Sequence, residues 1–345
     1  MDVIDMEGPR QQVEAAAGWA PPPSRQRASH AAPPWTAWAG ESAAVAFITV
    51  VAAIAHGAAL PYLLFPELGA LAYDTLKRPH GAWAWAPGML MLTPFLAGVV
   101  GTLAMQHLAF GPVAVFVVLG ASILIVRLLR SPIAPALSAG LLPLVLSDRS
   151  GDYPLSLLLG LALLAVVSQI WRRWVRPTAP VAVATPQRLS TSIGAKTRRD
   201  RSWIPFFIAF IAMASLLAIG TGLHFLLFPP LAVIAYEMFA HAETCPWAQR
   251  PLALVAVCTI AAIAGVLLVG LLGSGPLAAA CGVVVGIGLL RALDLHAPPA
   301  LAVVLLPLII SKPDYLFAAS VGASTLLLSL LFMTWRRIGK RAALI

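Results

Sequence analysis

The sequence predicts an all-α fold: a polytopic transmembrane helical bundle made of two parallel tandem repeats. Each repeat has about six helical segments, some of them short or re-entrant. Three observations carry this prediction. The first is composition. Hydrophobic residues make up 60% of the 345-residue chain, charged residues only 11%, and the mean hydropathy is +0.87. Soluble domains run near half apolar and about a quarter charged. An ordinary water-soluble enzyme, a disordered chain and a disulfide scaffold are therefore excluded. The second is the layout of charge. The net charge is +9, but Lys and Arg gather in short polar stretches between long apolar runs. That layout orients helices in a membrane and does not build a groove-binding face, so no nucleic-acid partner is expected.

The third observation is an internal repeat. Residues 63–74 read LLFPELGALAYD and residues 226–237 read LLFPPLAVIAYE, identical at seven of twelve positions. The match continues at offsets of 162 to 164. Gly111-Pro112 answers Gly275-Pro276, Arg127 answers Arg291, and PALSAGLLPLVLS at 135–147 answers PALAVVLLPLIIS at 299–311. Asp152-Tyr153 answers Asp314-Tyr315, and Trp171-Arg172-Arg173 answers Trp335-Arg336-Arg337. The chain thus divides into a polar, disordered N-terminal tail over 1–41, a first transmembrane module over 42–175, a basic linker over 176–201, a second module over 202–338 and a basic tail over 339–345. The start of the chain is acidic and has no apolar run of the signal-peptide kind.

Taken in order, the long apolar runs of the first module are 42–61, 87–108, 112–129 and 154–172, and its short ones 66–76 and 133–147. The second module has long runs at 204–225, 251–272, 276–291 and 316–334, and short ones at 229–240 and 298–311. A helix of twelve to fifteen residues covers only about 20 Å of a hydrocarbon core of about 30 Å. The short runs must then be partial crossings or re-entrant helices whose backbone ends are buried in protein or line a wet cavity. Charge sets the number of crossings. The linker and the C-terminal tail are both basic and belong on the cytoplasmic side. Six segments per module, twelve in all, also place Arg127, Arg130, Arg250 and Arg291 inside, and gather Trp83, Trp85, Trp171, Trp174, Trp203, Trp247 and Trp335 at that interface. The expected location is a bacterial-type cytoplasmic membrane, multi-pass, with both termini cytoplasmic. The lipid bilayer is the expected partner, and pairing into a homo-oligomer is allowed.

The short runs carry the chemistry. Each opens on proline: Pro66, Pro132, Pro229, and Pro298-Pro299. A proline-led helix start exposes free N–H groups and the positive end of the helix dipole. Inside a bilayer such ends would hold a small anion without a buried cation. The alternative is that these prolines simply start short helices at the interface. Tyr73-Asp74 and Tyr236-Glu237 end two of the short helices, and both copies keep a carboxylate after tyrosine. They are candidates by depth, set against a reading as polar helix ends. Glu67 flanks the first short helix. His56, His107 and His224 have no counterpart in the other copy and read more simply as packed or interfacial residues than as proton relays. Cys245, Cys258 and Cys281 share no metal or redox spacing, and no metal, cofactor or catalytic residue is expected.

Pro246-Trp247-Ala248-Gln249-Arg250-Pro251 before an apolar helix, followed by Leu290-Arg291-Ala292-Leu293-Asp294-Leu295-His296-Ala297-Pro298-Pro299-Ala300, resembles the HPP family of bacterial and plant membrane proteins. In that family a His-Pro-Pro motif follows a P-x-A-Q-P segment by about fifty residues. Here an alanine separates His296 from Pro298-Pro299, and the first copy, at Ser131-Pro132-Ile133-Ala134-Pro135, has no histidine. The resemblance covers 204–335 directly and 42–173 through the repeat. A branch of the family is linked to nitrite transport, so the resemblance implies a transporter of a small inorganic anion. The substrate-binding residues expected on this reading are Pro66, Tyr73, Asp74, Pro229, Tyr236, Glu237, His296, Pro298 and Pro299. A non-transporting scaffold or lipid-interacting protein is the alternative, and an intramembrane enzyme a remote one, because no polar groups of catalytic type converge in the sequence.

Overall fold

A computed structural model describes residues 34–175 and 202–342. The linker expected over 176–201 and most of the expected N-terminal tail fall outside these. Twelve α-helices are described, with no strand among the described residues. In the first half they are α1 (Pro34–Gly57), α2 (Glu67–Lys77), α3 (Pro87–His107), α4 (Pro112–Leu128), α5 (Ala136–Leu146) and α6 (Asp152–Trp174). In the second half they are α7 (Trp203–Thr221), α8 (Pro229–Ala240), α9 (Pro251–Leu272), α10 (Pro276–Ala292), α11 (Pro299–Leu305) and α12 (Tyr315–Ala342). Short 3₁₀ turns precede α2 and α8 and follow α11.

Six helices, α1, α3, α6, α7, α9 and α12, are long and apolar enough to cross a membrane. Their outer faces carry exposed large apolar side chains such as Val50, Ile54, Leu103, Leu159, Leu216 and Leu271. Water would make that surface an aggregation hazard, whereas lipid solvates it. The chain is an integral, multi-pass membrane protein. The helix α1 starts at Pro34, inside the stretch expected as tail. Proline is suited to a first helical turn, and the early turns of α1 are held in place: Gly40 lies against the Leu76 carbonyl, and Glu41 is buried.

The four short helices form the interior. All of α2 from Glu67 to Leu76, α5 from Ala136 to Val145 and α11 is buried, and α8 is buried apart from Glu237 and Ala240. Helices with almost no polar side, as α5 and α11 are, belong inside the bundle, whereas α2 is buried together with Glu67 and Asp74. The long helices surround them in pairings that recur: α3 packs on α5 and α6, and α9 on α11 and α12. Between the halves, α1 packs on α10 and α2 on α11, while α7 packs on α4 and α8 on α5. The close approaches recur too. At Gly101 on α3 the backbone of Gly140 leaves no room for a Cβ, and at Gly265 on α9 the backbone of Val304 does the same.

The short helices α2 and α5 begin partway along the bundle, each after a non-helical segment. The Leu63 carbonyl lies 2.6 Å from where a Cβ on Gly160 would stand, eight residues or about 12 Å along α6. The end of α2 lies near the far end of α6, where Trp171 Nε1 donates to the Leu76 carbonyl at 2.9 Å. The chain therefore descends to mid-bundle as a 3₁₀ turn and an extended Phe65, and only then becomes α2. The segment before α5 enters from the opposite end. Trp83 Nε1 donates to the Pro132 carbonyl at 2.9 Å, Thr93 donates to Ser131 at 2.8 Å, and helix begins near the level of Ala97 to Gly101 on α3. Non-helical backbone at this depth is tolerated because other helices enclose and satisfy it. Both halves turn into this pass through a left-handed residue, Arg130 (φ 49°) in one and Asp294 (φ 45°) in the other.

Candidate functional site

The site is built along one stripe of α2. Glu67, Leu71, Asp74 and Arg78 follow each other at i, i+4, i+7 and i+11 and share a face. Glu67 opens the helix at mid-bundle, and Asp74 lies two turns, about 10 Å, farther toward the end of the bundle that carries Arg291 and Arg337. We call that the basic end.

Glu67 is 1% exposed. Ser138, in the first turn of α5, donates to its Oε1, so the N-terminal ends of α2 and α5 meet here. The backbone N–H of Glu67 faces its own carboxylate. Oε2 has no hydrogen-bond partner among the described residues. No Lys or Arg pairs with this carboxylate among the described residues; the cations of α2, Lys77 and Arg78, occupy its other end, beside Glu41 and Asp74.

At the basic end two ion pairs cross between the halves, Glu41–Arg291 and Asp74–His296. Buried Glu41 of α1 pairs with Lys77 at 2.9 Å and with Arg291 of α10. The Arg291 guanidinium covers the Trp38 ring at 3.4 Å, and Lys77 donates to the Tyr73 hydroxyl at 2.7 Å. Asp74, 3% exposed, pairs with Arg78 and stands 3.5 Å from Nε2 of His296, just before α11. The Tyr73 and His296 rings are 6.3 Å apart. The matching place in the other half is plainer. Arg127 of α4 lies beside the Tyr236 hydroxyl, and Glu237 pairs with His241 one turn on, at 3.0 Å. Burial alone would push His241 down, but the hydrogen bond and charge of Glu237 outweigh it and hold its imidazole above the ordinary value.

The other end of the same interface is open. A cavity of about 170 Å³ lies between the halves, lined by Ala55, His56 and Leu64 on one side and Ser274, Leu308 and Ile309 on the other.

The nine residues expected from sequence thus separate into groups. Tyr73, Asp74 and His296 converge. Tyr236 and Glu237 lie in the corresponding place of the other half, with a local partner only. Pro66, Pro229, Pro298 and Pro299 are buried and line neither the cavity nor the ion-pair cluster. The free amides expected at these proline-led tips are scarce. Pro229-Pro230 and Pro298-Pro299 have no N–H to offer. The next donors are taken by preceding carbonyls: Leu231 by Phe228 at 2.9 Å, and Leu301 by Pro298 at 3.0 Å. The residues sequence reading passed over are Ser138, Glu41, Lys77 and Arg291. Ser138 carried no signal. Glu41 was counted with the tail, Arg291 was read as an orienting charge, and Lys77 carried no signal. Of the histidines, His56 reaches the cavity, whereas His224 stacks on Phe110 at 4.3 Å as a packed residue.

No family model, no curated protein and no solved structure matches the chain.

Proposed function

We propose that this membrane protein is a permease of a small inorganic anion, nitrite-like in size and charge, and that it works by rocking its two halves against each other. One observation carries this reading: the interface between the halves is indented by a cavity at one end and closed by cross-half ion pairs at the other. An alternating-access transporter open to one side would have such an arrangement, which supports the reading. Passage would require Glu41–Arg291 and Asp74–His296 to separate at the basic end. By the positive-inside rule that end is cytoplasmic, in a bacterial-type membrane with both termini inside. The recurring helix order and packing pairs support descent from one duplicated six-segment unit, and the resemblance to the HPP family supports the anion. The role is transport rather than catalysis.

The test is flux. The purified full chain is reconstituted in liposomes, and uptake of nitrite, nitrate and formate is followed with and without a proton gradient. Saturable uptake above empty liposomes supports the permease. No uptake of any of the three under either condition ends it. A second reading, a non-transporting scaffold, draws on the apolar packing around Pro229, Pro230, Pro298 and Pro299. It predicts the empty-liposome result.

A further inference from the structure

We propose that Glu67 and Ser138 form a proton-coupled gate, in which the Glu67 carboxylate is a tethered occupant of the anion position where α2 and α5 meet. The inference rests on the transport reading and names what couples to it.

The position is made for negative charge. Two eleven-residue helices bring their N-terminal ends together there, and each contributes the positive end of its dipole. A serine hydroxyl and a backbone N–H point at the same spot. The protein fills that spot with its own carboxylate, which is buried and, among the described residues, has one oxygen unpartnered and is paired with no cation. A negative charge kept so far from water is costly, so the carboxylate holds its place only through the serine, the amide and the two dipoles, and a proton on Oε2 removes that hold. Among the described residues, Ser138 faces it from α5 and Tyr153 from α6; α11 contributes only apolar side chains, the titratable groups of α1 are Glu41 at the basic end and His56 at the cavity, and the cations of α2 are at its far end. When Glu67 takes a proton from the aqueous side and swings away from Ser138, the hydroxyl, the amide and both dipoles become free for a small monovalent oxyanion. Return of the carboxylate expels the anion and releases the proton. One proton then moves with one anion, and no bond to the anion forms or breaks.

The experiment uses the full chain in liposomes with nitrate as probe, since its acid form is fully dissociated and does not leak. In wild type, an inward proton gradient drives accumulation approaching about tenfold per pH unit for one-to-one coupling. Glu67→Gln, which keeps the shape, lets nitrate equilibrate but shows no response to the gradient. Infrared pH titration without nitrate reads the proton directly: wild type shows a titrating carboxylic-acid carbonyl band that Glu67→Gln lacks. Should Glu67→Gln not elute as a folded protein, Ser138→Ala carries the test by moving the pH midpoint of that band. Gradient-driven accumulation by Glu67→Gln, an acid band it leaves unchanged, or a midpoint unmoved by Ser138→Ala overturns the gate. If wild type passes no anion at all, the permease reading fails, and the infrared band still decides whether Glu67 binds a proton.

Discussion

The meeting point of α2 and α5 in the first half and that of α8 and α11 in the second share a backbone plan and almost nothing polar. Where the first half has Glu67, the second has Pro230. Where it has Ser138, the second has Ala302. The same holds at the basic end. Glu41 and Asp74 of the first half reach Arg291 and His296 of the second, whereas Glu237, the counterpart of Asp74, pairs with His241 in its own half, and Ile204 and Pro132 stand where Glu41 and His296 would. What the halves share is scaffold: glycines that admit a neighbouring backbone, prolines that start short helices, left-handed residues at the same turn. What they do not share is charge at depth. Ionisable groups inside a membrane are costly, and the mid-bundle pair Glu67–Ser138, present in the first half alone, is where the proposed gate sits.

Changes that break the shared scaffold have the largest expected effect. Gly101→Val and Gly265→Val should each destabilise by about 3 kcal/mol, because a rigid backbone carbonyl occupies the space in both. Equal losses of thermal stability in detergent would place the two halves on one plan. A cost at only one of them would separate their architectures.

Next come the cross-half ion pairs, where the halves should differ. Arg291→Ala removes one of the two cations on buried Glu41 and should cost about 2 to 3 kcal/mol, near the lower end for a broken buried pair because Lys77 remains. Arg127→Ala loses only its contact with Tyr236 and should cost about 1 kcal/mol. Unfolding midpoints measured side by side check the asymmetry, and equal costs would contradict it.

A smaller effect belongs to His241. Its folded value lies above the unfolded one of about 6.5. The Glu237 pair therefore stabilises fully below that pH and fades as pH rises through the folded value. Wild type should lose up to about 1 kcal/mol over that rise relative to His241→Gln, read from thermal midpoints across pH. The smallest effect is at the left-handed turns. Arg130→Gly and Asp294→Gly should each be neutral or stabilising by up to about 1 kcal/mol, since glycine adopts φ near 45–49° freely.

This asymmetry also explains what was legible in the sequence. Helix number, order and the breaks at Pro66, Pro229 and Pro298 followed from apolar runs and from the matched copies, because a bilayer leaves few other ways to satisfy the backbone. The convergence of Tyr73 and Asp74 with His296 followed only in part: depth marked them, but nothing in sequence places α11 beside α2. Weighing the copies against each other favoured residues present in both, such as the prolines and the Asp74–Glu237 pair. Glu67 was noted as flanking the first short helix but not placed among the site residues, and its counterpart is Pro230. Glu41 was missed because it precedes the apolar run that marks α1, and its burial depends on Arg291, 250 positions away. The proline-led tips misled in a specific way: each proline that marks a helix start also deletes one of the donors an anion would need.

The central claim is that the halves part at the basic end. It is tested most directly by tying that end shut. With Cys245, Cys258 and Cys281 replaced, Glu41→Cys and Arg291→Cys remove both partners of the pair together and allow a reducible bis-methanethiosulfonate bridge between α1 and α10. The account predicts nitrate flux that falls to the empty-liposome level when the bridge forms and returns on reduction. Undiminished flux through fully bridged protein would contradict it.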